Sequence, residues 1–233
     1  MAEETRTHRD LAEVVRGARY VLFDFDGPIC RLFARWPADA IARQQQQWLA
    51  ARGWEGAGSD DPHLMLMHVA AQPGTDDLVR DLERHLTHQE VRAAASAWPT
   101  PYADALIRTW YAVGARLAVT TNNSAEAARC YLRGRGLDDC FEPHVYGRTA
   151  EALDRIKPDP YLLKCALDAM EAAPADALMI GDAPTDLAAA RAVGVPFLGY
   201  ARNVRKDDAL KEAGAPYVVS SLEPVLSVLR EQR

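Results

Sequence analysis

The apolar run Val21–Phe25 carries straight into Asp24-Phe25-Asp26-Gly27, so two carboxylates two positions apart project to the same region at a strand end. Like charges buried in such a place demand a cation or a proton between them. Taken alone, the pair is equally a solvated loop with acidic turn formers. A second acidic pair follows the apolar run Ala177–Gly181. Asp182 and Asp186 stand four residues apart, on one face of the helix that begins there. Asp182, just ahead of Pro184, has the chemistry of a helix N-cap, a role that would leave Asp186 unexplained. Carboxylates clustered on loops suit a hard ion, and Mg2+ typically takes one or two of them with water and substrate phosphate.

Two further signals lie between these pairs. Thr120-Thr121-Asn122-Asn123-Ser124 ends the run that starts at Leu117 and offers a hydroxyl and N–H groups at a helix start, a setting that favours anions. Ser124 as an ordinary helix cap is the plainer reading of part of it. Lys157, in Ile156-Lys157-Pro158-Asp159-Pro160, is one of four lysines among 27 basic residues. An ammonium supplies compact charge where a planar guanidinium does not fit, although chance retention also accounts for a single lysine.

The elements that must position these groups are legible as short β-type runs at 21–25, 117–121, 144–147, 177–181, 196–200 and 217–220. Several are apolar on both faces, as strands are inside a parallel sheet covered by helices. Helical periods separate them: Ala103, Leu106, Ile107, Trp110 and Tyr111; Ala127, Ala128, Tyr131 and Leu132; Tyr161, Leu162, Cys165 and Met170. Ser220 and Glu223 read as a capping box for a last helix whose stripe is Leu222, Val225, Leu226 and Leu229. Alternating strand and helix predict a doubly wound, Rossmann-like α/β core with a parallel sheet. All four chemical signals then fall at C-terminal strand ends or in the loops after them, the edge where such sheets bind ligands.

Nothing strand-like occurs between Phe25 and Leu117, whereas helical patterns occupy residues 37–52 and 75–95, the second started by Thr75-Asp76-Asp77. Gly27-Pro28 and Trp98-Pro99-Thr100-Pro101 have the composition of linkers. The expected organisation is a core of residues 1–29 and 101–233 with an inserted helical cap over residues 30–100.

With the order D-x-D, Thr, Lys-Pro, G-D-x-x-x-D and a helical insertion after the first motif, the chain resembles the haloacid dehalogenase-like (HAD) hydrolase superfamily over nearly its whole length. It is most similar to the branch with a C1-type cap, which holds phosphoglycolate phosphatases and β-phosphoglucomutases. The resemblance implies that Asp24 is the nucleophile that becomes an aspartyl phosphate, and that Asp26 is the general acid–base. It further implies that Thr121, preferred over Thr120 because Thr-Asn follows the strand in the family, hydrogen-bonds the phosphoryl group along with Gly27 and Asn122. Lys157 would neutralise charge on nucleophile and phosphate. Mg2+ would be held by Asp24, the backbone carbonyl of Asp26 and Asp182, with Asp186 ligating through water or supporting Lys157. The implied activity is Mg2+-dependent hydrolysis of a small phosphate monoester, phosphoglycolate-like or a sugar phosphate. Pro28 departs from the Thr or Val usual after D-x-D-G and lacks both hydroxyl and N–H.

Within the same fold, a phosphomutase, a haloacid dehalogenase and a catalytically weak phospho-ligand binder remain open; a receiver-type phospho-acceptor is disfavoured by the lid and the D-x-D. The insertion would act as a lid that excludes water and sets specificity. Arg31, Arg35 and Trp36, just past the first motif, are candidates to read a carboxylate or second phosphate. His63, His68, His85 and His88 read as surface or packing residues before a transition-metal site.

Composition narrows the remaining classes. A 233-residue chain with 48% hydrophobic and 26% charged residues is ordinary globular material. A formal charge of −6 argues against nucleic-acid binding, which draws on excess Lys and Arg. Four cysteines with no C-x-x-C pair read as reduced, buried thiols. The polar start, MAEETRTHRD, and the lack of any long apolar stretch predict a cytoplasmic protein without membrane contact, a monomer or homodimer.

Overall fold

The computed structural model describes residues 11–56 and 58–231, so the polar start of the chain lies outside the described residues. Residues 11–17 are helical (α1), followed by β1 (Tyr20–Phe23), β2 (Cys30–Arg31), α2 (Ala38–Ala50), α3 (Pro62–Ala70), α4 (Asp76–Ala94) and β3 (Trp98–Pro99). The chain continues with α5 (Ala103–Ala112), β4 (Arg116–Ser124), α6 (Ala125–Gly134), α7 (Asp138–Phe141), β5 (Val145–Arg148) and α8 (Tyr161–Ala169). It ends with β6 (Ala177–Gly181), α9 (Pro184–Val193), β7 (Phe197–Tyr200), α10 (Val204–Glu212), β8 (Val218–Val219) and α11 (Glu223–Arg230).

Six strands form one parallel sheet in the order β5-β4-β1-β6-β7-β8. The doubly wound α/β core is therefore present, with β1 near its centre. From β1 the chain builds outward through β4 to β5, then crosses back to β6 and builds the other way. That reversal opens a crevice at the C-terminal ends of the central strands.

Side-chain alternation assigns the two faces. Val21, Phe23, Leu117, Val119, Leu178 and Ile180 pack with α1, α5, α6 and α11, while Leu22, Ala118 and Met179 face α8, α9 and α10. Trp110 and Phe141 each meet Phe23 edge-on at 5.9 Å between ring centroids, closing the larger layer. Among the described residues no helix is long and apolar enough to cross a membrane.

Between β1 and α5, helices α2, α3 and α4 share an apolar cluster of their own, which includes Ile41, Leu49, Met65, Leu66, Leu82 and Leu86. Periodicity anticipates two of these helices and misses α3. Its sequence, PHLMLMHVA, is apolar nearly all round and so carries no stripe to read. Local chemistry starts it: Pro62 occupies the first turn, and the Asp61 carboxylate accepts from the N–H groups of His63 (2.8 Å) and Leu64 (3.2 Å).

The stretch read as free of strands contains β2 and β3, which pair antiparallel with Cys30 opposite Pro99 and Arg31 opposite Trp98. Two residues per strand are too few to show alternation, and Pro99 is tolerated because the ribbon is all edge.

Three local readings are corrected. The Thr75 hydroxyl donates back to the carbonyls of Val69 and Gln72 instead of capping α4. Ser220 makes no capping box; the Ser221 hydroxyl accepts from Glu223 N–H at 3.1 Å. Tyr111 is exposed, leaving Ala103, Leu106, Ile107 and Trp110 as the buried face of α5. All four cysteines are free, Cys30 and Cys140 buried and Cys130 and Cys165 half-buried.

Candidate active site

Asp24 directly follows β1, and its N–H donates to the carbonyl of Ile180 at 2.8 Å, extending the β1–β6 pairing by one residue. The register sets Asp24 beside Gly181-Asp182 at the end of β6. Lys157 reaches the same point from the segment between β5 and α8. Its buried Nζ donates to Asp24 Oδ1 (2.8 Å), to the Thr120 carbonyl (2.9 Å) and to Asp186 Oδ1, engaging all three ammonium protons. Burial alone would lower its pKa, but Asp186 and Asp24 more than offset this and hold it protonated above the ordinary lysine range. Its backbone is clamped by Asn122, whose Oδ1 accepts from Lys157 N–H (2.8 Å) while its Nδ2 donates to Lys157 C=O (2.9 Å).

The second acidic pair divides its labour differently from the capping alternative. Asp186 Oδ2 accepts from the N–H groups of Asp182 and Ala183, both at 3.0 Å, so Asp186 closes the start of α9 while its other oxygen holds Lys157. Ala183 stands at the N-cap position, and the Asp182 carboxylate takes no part in capping. Asp182 instead pairs with Lys206 Nζ at 2.5 Å. Burial pushes Asp182 up to about 7 against the pull of that ammonium. Gly27, at φ +130°, makes room for it. A Cβ on Gly27 would lie 2.4 Å from the Asp182 carboxylate.

Asp26 Oδ1 accepts from Leu32 N–H at 2.8 Å, and burial, with Asp24 adding to it, raises the Asp26 pKa in spite of that bond. The turn around Pro28 is closed by Gly27 N–H to Cys30 C=O (2.7 Å) and Cys30 N–H to Phe25 C=O (3.2 Å). Neither bond involves the N–H that proline lacks. The Thr120 hydroxyl turns to Met179 Sδ at 3.7 Å. Thr121 is fully buried; its hydroxyl donates to Asn123 Oδ1 and accepts from Asn123 N–H. Ser124 caps α6 by accepting from Ala127 N–H at 3.2 Å.

Asp24, Asp26, Asn122, Lys157, Asp182 and Asp186 line a cleft of about 900 Å3, with His63, Leu64 and Met67 of α3 on the facing side. Carboxylate oxygens of Asp24, Asp182 and Asp186 lie within 4.8 Å of one another, the single such group of metal-binding type among the described residues. An all-oxygen donor set fits a hard divalent ion such as Mg2+ better than zinc. With both oxygens of Asp186 engaged, Asp24 and Asp182 are the carboxylates with capacity for it. Of the histidines, His85 stacks on Trp48 at 5.4 Å, a packing role. Arg31 lies over Trp98 and Arg92 over Trp36, and neither Arg31, Arg35 nor Trp36 lines the cleft.

Two groups at the site escaped the sequence reading. Lys206, from the first turn of α10, is one. The other is Glu90 of α4, fully buried where the helical unit meets the sheet. Its carboxylate receives Arg148 Nη1 (2.9 Å) and Nη2 (3.0 Å), Asn123 Nδ2 (2.9 Å) and Ser124 N–H (2.8 Å), and lies 3.1 Å from His63 Nε2. Burial would raise the Glu90 pKa; Arg148 and His63 reverse this and hold it well below the carboxylate range. Glu90 was findable: with Leu82 and Leu86 it lies on the stripe of α4 that faces inward, and a charge there needs a partner.

A family model of haloacid dehalogenase-like hydrolases matches residues 18–194. A phosphoglycolate phosphatase of Rhodospirillum rubrum is 42% identical over 125 residues, covering 52% of this chain and 51% of that protein. The chain thus spans about half the length of that relative. A phosphoglycolate phosphatase of Cereibacter sphaeroides is 30% identical over 197 residues, 79% of this chain and 86% of the relative. Among solved structures, CbbY of Rhodobacter sphaeroides in complex with phosphate superposes with a TM-score of 0.67 at 20% identity, covering 91% of this chain and 99% of that one. At that identity the likeness is one of fold.

Proposed function

The chain belongs to the haloacid dehalogenase-like hydrolase family, and from that premise we propose that it is an Mg2+-dependent phosphatase acting on a small phosphate monoester. The observation that carries this reading is the bridge formed by Lys157 Nζ between Asp24 and Asp186, beside a second carboxylate, Asp26, whose pKa is raised. Phosphoglycolate and sugar phosphates are the first substrates to try, since the curated relatives include phosphoglycolate phosphatases.

In this mechanism the Asp24 carboxylate attacks phosphorus, and the bond from phosphorus to the leaving oxygen breaks. Asp26, whose pKa burial raises, gives its proton to that oxygen. Water then attacks the aspartyl phosphate as Asp26 takes the proton back, releasing inorganic phosphate and restoring Asp24. Lys157 fixes one oxygen of Asp24 and supplies positive charge where negative charge accumulates. Asp186 and Asn122 hold Lys157 in place, and the Gly27 turn and the end of β4 at Thr121 and Asn122 surround the phosphoryl position. Asp24, the Asp26 carbonyl and Asp182 would hold Mg2+, which when bound would supply charge neutralisation at the phosphoryl oxygens. The helical unit of residues 30–100 serves as the lid, presenting α3 to the cleft. A dehalogenase has no use for Asp26 as an acid, which disfavours that alternative.

The test is phosphate release from a panel of monoesters with Mg2+, with chelator, and by Asp24→Asn at matched folding. Turnover abolished by both treatments supports the reading. A folded wild type that releases phosphate from no ester would overturn it.

A further inference from the structure

Two ammonium groups serve the acidic cluster, and they are held in contrasting ways. Lys157 is buried, with each of its three protons given to a protein acceptor. Lys206 has one acceptor, Asp182 Oδ2, and its side chain remains 22% exposed at the cleft wall. Its backbone is nonetheless fixed, because Asn203 Oδ1 accepts from Lys206 N–H at 3.0 Å and starts α10 there. The residue therefore combines an anchored base with a flexible four-carbon stem and two unclaimed N–H donors.

Charge balance gives that freedom a use. Asp24, Asp182 and Asp186 bring three carboxylates together against the ammonium groups of Lys157 and Lys206, with Arg202 acting on the neighbouring Asp26, so the cluster keeps an excess of negative charge that attracts a divalent ion. A phosphate dianion entering afterwards needs every positive charge the site holds. The ion and Lys206 compete for the same carboxylate, and the ammonium loses little when displaced, since it already borders solvent.

We propose that Lys206 is a displaceable counter-ion of Asp182, which yields that carboxylate to a divalent cation and then turns its ammonium to the phosphoryl oxygens of the substrate. The phosphate half of this assignment rests on the phosphatase reading; the counter-ion half rests on the Lys206–Asp182 pair alone.

The two halves predict effects of opposite sign. By calorimetric titration of Mg2+ without substrate, Lys206→Met binds the ion roughly threefold more tightly than wild type, the scale of a partly exposed ion pair. In saturating Mg2+, the same variant binds inorganic phosphate about tenfold more weakly, as loss of a charge-assisted hydrogen bond requires. Lys206→Arg, which keeps the charge, returns Mg2+ affinity to the wild-type value and confirms that the change is not one of folding. Unchanged or weakened Mg2+ binding by folded Lys206→Met overturns the counter-ion assignment even where the enzyme hydrolyses esters well. Unchanged phosphate binding overturns the second half. If no ester is hydrolysed yet the Mg2+ affinities move as stated, the phosphatase reading fails and the counter-ion role stands.

Discussion

The carboxylate of Asp182 occupies the space that a side chain on Gly27 would fill, 2.4 Å from where its Cβ would stand. The two acidic loops are thereby interlocked: the glycine after Asp26 is a packing requirement of the residue after β6. A left-handed φ at Gly27 adds a conformational cost to any replacement. Gly27→Ala is expected to displace Asp182, weaken Mg2+ binding by an order of magnitude or more, and lower kcat/KM about 100-fold, because misplacement of a reacting group by even 1 Å is that costly. Metal titration beside steady-state kinetics checks it.

Asp26→Asn should separate activity from stability. The amide cannot cycle a proton, so turnover falls by roughly 10²–10⁴-fold. Burial raises the Asp26 pKa above the ordinary 3.8, so stability is lost as pH climbs from that value through the raised folded one, and the loss is complete above it. Removing the charge while keeping an oxygen for Leu32 N–H is expected to raise Tm at alkaline pH, with the gain vanishing in acid where the wild-type carboxyl is neutral. Thermal melts across pH would contradict this if the variant were less stable than wild type at every pH.

Glu90 should behave in the opposite sense. Its folded pKa is depressed from the ordinary 4.5, so its contribution is complete above that value and is lost as pH falls below it. Glu90→Gln is expected to lower Tm at neutral pH and to flatten the acid limb of the stability curve below about pH 4.5. Arg148→Met strands the buried carboxylate and should cost about 3–5 kcal/mol, read by denaturant unfolding.

Asn122→Ala removes both bonds that clamp the Lys157 backbone. Two neutral hydrogen bonds are worth about 1–3 kcal/mol together. If that clamp sets the position of the ammonium, kcat drops roughly tenfold or more while KM changes less. A change confined to KM would place Asn122 in substrate binding instead.

Much of the core was legible because its signals are local. Strands apolar on both faces announce a covered parallel sheet, and acids placed at the ends of such runs announce the binding edge. What was hidden depends on pairings between distant segments. Lys206 meets Asp182 only because β7 and the turn into α10 bring it back over the cleft, and its one local hint is that it is a lysine in an arginine-rich chain. The role of Asp186 was undecided because two partners compete for it, and only the three-dimensional arrangement assigns one oxygen to the helix start and the other to Lys157. Helix α3 was missed for the opposite reason: a nine-residue segment that is apolar on most sides has no period to detect.

The Glu90–Arg148 pair bears on how new specificities can be built on this scaffold. The two-residue ribbon of β2 and β3 looks like a clean place to cut and graft a foreign helical unit. A graft made there would leave Arg148 facing whatever residue the donor carries at the position of Glu90, and the transplanted unit would lose its own buried counterpart. Residues 90 and 148 must travel together, so exchange of the helical unit amounts to a two-site substitution even though it is a single splice.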